Sequence, residues 1–322
     1  MVELKTAPTF VLVHGAWADG TSWHKVIDAL EAAGARAVAA PIPLTSVSDD
    51  VRALDRCLTR IEGPIVLAAH AYAGAVISGS KNERVKGLVF VAALAPDEGE
   101  TVGEVFGRGK PHPEAPQLVP DGDGFIWMPE SAFAAAFAQN ASPEESALFA
   151  AVQRPINGAC LQEKCWKPLW KTLPAWYLLA EQDRMINPET QDFMAQRMKA
   201  KLRRLDVDHT PIATAPDRVV ELLLEAGKSV AAKACVTDRM GAYDDSNQIP
   251  YSRGRRHQGV LSRGAECRCA EAASPARLSD FGPYVPRPDS AACRQIPPRR
   301  AGPSRLRLNR LAIARKIQLH VR

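Results

Sequence analysis

Long hydrophobic runs are missing from this chain of 322 residues. No apolar stretch approaches the roughly 20 residues that a membrane-spanning helix needs. The opening stretch, Met1 to Pro8, lacks the basic start and apolar core of a secretory signal. No membrane partner is expected, and a cytoplasmic location is. Aromatic residues are scarce, at 6%, and they do not alternate with basic ones as a stacking surface for nucleic acid requires. The 7 cysteines are odd in number, and Cys267 and Cys269 form the one close pair in sequence. Free thiols are expected, rather than a complete disulfide framework or a zinc site.

The net charge of +5 hides a division. From Val230 to the end there are 18 Lys and Arg against 7 Asp and Glu, while residues 1–229 hold 23 basic and 29 acidic side chains. The basic part, 230–322, is rich in Arg, Pro, Ser and Gly, as in Pro297-Pro298-Arg299-Arg300. Such a composition buries too little apolar surface to offset the entropy of ordering, so a mostly disordered tail is expected, with a short helix near residues 306–321. Its charge suits phosphate contacts. The acidic body argues against nucleic acid as the partner.

Within residues 1–229, buried-strand runs alternate with helical patterns. Thr9 to Val13 is β-branched and apolar, and a helix follows from about Ser22, an N-cap candidate, to Gly34. Arg36 to Ala40, Ile65 to His70 and Val85 to Leu94 read as further strands, with a helix over 49–61. From Ala95 to about residue 172 the rhythm changes to Pro- and Gly-rich turns flanking alanine-rich helical pieces, 130–139 and 143–152. This reads as a cap inserted between two strands. The alternation resumes with a strand over 175–180, a helix over 188–200, a strand over 201–207 and a last helix over 216–226, with Gly227 as its stop. The fold class expected is α/β, a mostly parallel sheet with helices on both faces.

Ala71 stands at the most informative place. Ile65 to Ile77 reads as strand, sharp turn walled by small residues, and apolar helix, centred on Ala69-His70-Ala71-Tyr72-Ala73. A strained turn of this kind lifts its central side chain above the sheet edge. Here that side chain is a methyl, which cannot attack a carbonyl. Three more landmarks follow strands: His14-Gly15-Ala16-Trp17, Glu181-Gln182-Asp183-Arg184 and Asp208-His209-Thr210-Pro211. Taken singly, each is also an ordinary turn, helix cap or solvated loop. Together they keep the order elbow, acid, histidine.

With these motifs the chain resembles the compact esterase and hydroxynitrile-lyase branch of the α/β-hydrolase superfamily over about residues 7–229. The resemblance implies that Asp183 orients His209 and that His209 is the general base. It further implies that the N–H groups of Ala16 and Tyr72 form an oxyanion hole, that the cap sets the substrate, and that no cofactor is needed. It also implies a serine where Ala71 stands, and glycines at Ala69 and Ala73. Ser78, Ser80 and Cys57 do not replace that serine by position. Trp17, His70 and Trp127 are candidate substrate contacts, with Phe125 and Met128 beside them.

Two functions remain open. One is non-covalent chemistry, hydrolytic or lyase-like, on a small ester-, lactone- or carbonyl-containing molecule. The other is an inactive small-molecule binder, or pseudoenzyme, on the same scaffold. An esterase with an engineered serine-to-alanine change and a nucleic-acid-associated protein acting through its tail are further alternatives.

Overall fold

The computed structural model describes residues 7–244. Its strands are Thr9–Val13 (β1), Ala37–Ala40 (β2), Ile65–His70 (β3) and Val85–Val91 (β4), then Phe125–Ile126 (β5) and Ile156–Asn157 (β6), then Ala175–Ala180 (β7) and Lys201–Leu205 (β8). Six of them form one sheet in the order β2-β1-β3-β4-β7-β8, with every pairing parallel. Every residue of β1, β3 and β7 is buried. Strands covered on both faces need apolar side chains in both directions, so these runs show no alternation.

Successive side chains of β1 go to opposite faces. Phe10 and Leu12 join Trp23, Val26 and Leu30 of the first helical segment and Val219, Leu222 and Leu223 of the last helix. Val11 and Val13 join Leu54, Leu58, Val76 and Met194 on the other face. The helices that provide these layers are His24–Ala32 (α1), Val47–Leu58 (α2) and Ala73–Ser78 (α3), joined by two more that follow the insertion. Asp19 caps a 3-10 turn, Gly20–Trp23, which runs directly into α1. Ser22 is therefore inside the turn, with its hydroxyl donating to the Asp19 carbonyl, and it is not the cap. Ser46 caps α2 by accepting from the Asp49 N–H.

Between β4 and β7 lies the cap: Val102–Phe106 (α4), Glu130–Ala132 (α5), Pro143–Val152 (α6) and Ala159–Gln162 (α7) around the β5–β6 ladder. Both α4 and α6 start with reciprocal capping boxes, Thr101 with Glu104 and Ser142 with Glu145. Where a helix over 130–139 is expected, α5 passes after one turn into a π-helical turn, Phe133–Phe137, closed by the Ala138 N–H on the Phe133 carbonyl. Beyond the cap come Pro188–Arg197 (α8), Pro211–Thr214 (α9) and Pro216–Asp244 (α10).

The last helix does not stop at Gly227; α10 continues to Asp244, and Val230 is buried in the core. Gly227 serves close packing instead. A Cβ there would lie 2.7 Å from Cζ of Phe10, so only glycine lets the helix lie this close to β1. Expectations for residues 245–322 lie outside the described residues.

Candidate active site

Val13 pairs with Ala40 on one side and Ala69 on the other, so β1 and β3 end side by side and their following turns meet. Ala71 occupies the left-handed region, with φ 51°. For a side-chain-bearing residue this conformation costs on the order of 1 kcal/mol, and the surroundings hold it. Its carbonyl accepts the N–H groups of Leu94 at 2.9 Å and Gly74 at 3.2 Å, and its N–H donates to the Val91 carbonyl. A Cβ on Gly15 would meet Ala71 Cβ at 2.9 Å, and one on Gly74 would meet the Leu94 carbonyl oxygen at 2.2 Å. The small residues around the elbow are thus required by backbone approach.

Asp183 follows β7 and His209 follows β8, at the same carboxyl edge of the sheet as Ala71. His209 Nδ1 donates to Asp183 Oδ2 at 2.8 Å, and both side chains are buried. Asp183 Oδ1 accepts the N–H groups of Met185 and Ile186, while Oδ2 also accepts Nε2 of Gln191 at 2.7 Å. These donors fix the carboxylate plane, and the carboxylate fixes the imidazole tautomer, leaving Nε2 of His209 as the basic nitrogen.

A small, mostly apolar pocket lies over Ala71. Its lining includes Ala16, Trp17, Ala71, Tyr72 and His209 from the sheet edge and Phe106, Leu118, Ile156 and Leu161 from the cap. No carboxylate, lysine or arginine lines it. Among the described residues, the N–H groups of Ala16 and Tyr72 have no hydrogen-bond partner, although both residues are buried. Trp17, also left-handed at φ 57°, is tied to the cap: its backbone N–H donates to the Arg154 carbonyl and its indole N–H to that of Ile126.

His70 is placed differently from the expectation of a substrate contact. It is fully buried beneath the site, where Nε2 donates to the His209 carbonyl at 2.8 Å. Burial, then the neighbouring His209, lowers its pKa to about 3, so the ring is neutral. Trp127 also departs from expectation. It is 51% exposed on the cap, with its indole N–H on Asp121, one residue past the end of β5, whose Ile126 is buried. Met128 packs with Phe133, Phe137 and Phe149 of the cap in a cluster that also takes in Ala18, Met185 and Ala213 of the body. Ser78 and Ser80 are engaged away from the pocket, on the Gly74 carbonyl and on Asp55.

Two residues of the site carry no signal in the sequence. Gln191 holds Asp183 from α8, and it lies in a helix whose polar face gives no sign of it. Asp50, on α2, accepts the Tyr72 hydroxyl at 2.7 Å and the Leu44 N–H at 2.7 Å. Burial raises its pKa to about 6. Among the described residues no group of three or more His, Cys, Asp or Glu side chains is placed to hold a metal ion, and no helix is long and apolar enough to cross a membrane.

A parallel sheet, a left-handed elbow between β3 and α3, and an acid and a histidine after β7 and β8, the last two strands of that sheet, define the α/β-hydrolase fold. The chain belongs to the alpha/beta hydrolase family, whose model matches residues 10–222. It is 23% identical over 243 residues to probable hydrolase R7 of Phoma sp., covering 68% of this chain and 98% of that protein. To methylesterase 7 of Arabidopsis thaliana it is 25% identical over 263 residues, covering 69% and 97%. Among solved structures, polyneuridine aldehyde esterase superposes with a TM-score of 0.61 at 20% identity, covering 68% of this chain and 98% of that one. The pyrethroid hydrolase PytH, in a form with one serine changed to alanine, gives a TM-score of 0.61 at 21% identity, covering 70% and 99%.

Proposed function

We propose that this protein performs general-base chemistry, without a covalent intermediate, on a small uncharged ester, lactone or other carbonyl compound. The observation that carries the proposal is the 2.8 Å bond from His209 Nδ1 to Asp183, made beside an apolar pocket that His209 itself lines. A bound ester places its carbonyl oxygen towards the N–H groups of Ala16 and Tyr72. Nε2 of His209 takes a proton from a water as the water oxygen bonds to the carbonyl carbon. The oxyanion then collapses, the C–O bond to the alcohol breaks, and the imidazolium returns its proton to the departing oxygen. Acid and alcohol are the products, and Asp183 holds the imidazole in place throughout. The absence of charge in the pocket lining favours an uncharged substrate, because a buried unpaired charge is costly. Methylesterase 7 and polyneuridine aldehyde esterase are named for ester cleavage, which supports the same bond type here.

A second reading, small-molecule binding without turnover, is favoured by the methyl of Ala71. A capped apolar pocket with a few polar groups binds ligands whether or not it reacts with them. Turnover of small aryl esters and lactones by the native chain and by His209→Ala separates the two. Hydrolysis that falls to the buffer rate in the variant supports the base. Equal rates in both chains, together with saturable binding of the ester, leave the binder.

A further inference from the structure

The cap segment 133–140 touches the two loops of the site in a specific pattern. Gln139 Nε2 donates to the Gln182 carbonyl at 2.7 Å, and an Arg184 guanidinium nitrogen donates to the Ala135 carbonyl at 2.7 Å. These contacts bracket Asp183 on both sides. The Asn140 N–H donates to Asp208 Oδ2 at 3.0 Å, and Thr210 Oγ1 donates to the Phe137 carbonyl at 2.5 Å. These bracket His209 in the same way. The ring of Phe137 then lies edge-on to His209, with centroids 5.4 Å apart, and edge-on to His70 at 6.2 Å.

The π-helical turn makes this possible. A π turn offsets its hydrogen bonds by one residue and is frequent at functional sites. Here the Ala135 and Phe137 carbonyls are the ones met by the site loops. Asp208, fully buried, also accepts the Thr210 N–H and the Thr214 hydroxyl, so the cap contact reaches α9 from its cap residue to its last residue.

We infer that segment 133–140 is a splint that sets the His209–Asp183 geometry, with Thr210 and Phe137 as positioning residues. The inference rests on His209 being the base of the proposed function, yet it is read without turnover. The site is complete only when the cap is seated, so opening this edge of the cap loosens the base and its carboxylate together.

Nitrogen-15 and proton NMR of the full chain tests it. In the unaltered protein the His209 Nδ1–H and the Asn140 backbone N–H are expected to exchange with water through one shared opening, at rates within about tenfold of each other. Rates further apart than that overturn the splint without any variant being made. Thr210→Val keeps the shape and removes the hydroxyl; it is expected to speed His209 Nδ1–H exchange about tenfold or more. Thr210→Ser keeps the donor and is expected to restore the native rate. A folded Thr210→Val chain with native exchange rejects the inference. Failure of the ester assay with these exchange results intact rejects the proposed chemistry alone.

Discussion

The Tyr72 hydroxyl donates to a carboxylate, Asp50, that is itself wholly buried, so the residue after the elbow is anchored to α2 by a group that titrates near neutrality. Cys160 lies against the same carboxylate, and its thiol, pushed up to about 12 chiefly by burial, stays neutral. Asp50 has its pKa raised from 3.8 to about 6, so the folded chain holds a proton there that the unfolded chain has released. This contribution to stability is full below about pH 4 and is lost as pH rises through about 6. Asp50→Asn removes the titration. Its melting temperature relative to the native chain is expected to rise between pH 4 and pH 7, by the equivalent of on the order of 2 kcal/mol. Calorimetry across that range checks it, and a constant offset contradicts it.

His14 and His70 act in the opposite direction. His14 donates through Nδ1 to the Gly15 carbonyl and accepts the Ile42 N–H at Nε2, so both nitrogens are used by the neutral ring. Burial lowers its pKa to about 4, and that of His70 to about 3, from 6.5. Below pH 6.5 the unfolded chain takes up protons that these rings refuse, and stability falls until the lower values are passed. In an acid titration followed by circular dichroism, His70→Gln is expected to unfold about half a pH unit lower than the native chain, because the amide still donates to His209 without titrating. An unchanged acid midpoint would refute the assignment.

Ala71→Ser is the direct test of how complete the site is. The elbow already holds φ 51°, so the hydroxyl enters without moving the backbone. Given what removal of such a serine costs in a protease triad, a gain of at least about a thousandfold in kcat/KM towards aryl esters is expected. Adding His209→Ala to the same chain is expected to abolish the gain. A serine variant no faster than the native protein would show that the N–H groups of Ala16 and Tyr72 do not serve the reacting carbonyl.

Gly227→Ala distinguishes packing from helix propensity. In an open helix alanine is better than glycine by about 1 kcal/mol. Here the new methyl would sit 2.7 Å from Phe10. A net loss of about 1–3 kcal/mol is expected, seen as a melting temperature lowered by a few degrees. A raised melting temperature would mean that α10 and β1 separate easily.

The sheet and the sequence of its turns were legible because burial on both faces writes continuous apolar runs, as in β3 and β7. Asp183 was legible because it follows such a run, β7, and His209 because it follows the next strand pattern, β8, at the same sheet edge. Gly227 was misleading, since a glycine that lets Phe10 approach is indistinguishable in one dimension from one that ends a helix. Trp127 misled because it stands one residue past a two-residue strand, a run too short to show which side chains face inward. Asp50 and Gln191 were invisible because their partners, Tyr72 and Asp183, lie on other elements, and only folding brings them together.

The left-handed turn at Ala71 bears on descent as well as on chemistry. With alanine at the apex, that strain raises no nucleophile above the sheet edge. Alanine and serine codons differ by one base at the first position, and the neighbours of residue 71 already accommodate the turn. A lineage carrying this chain therefore stands a single point mutation from an apex alcohol, and the rigid backbone around residue 71 keeps that route open.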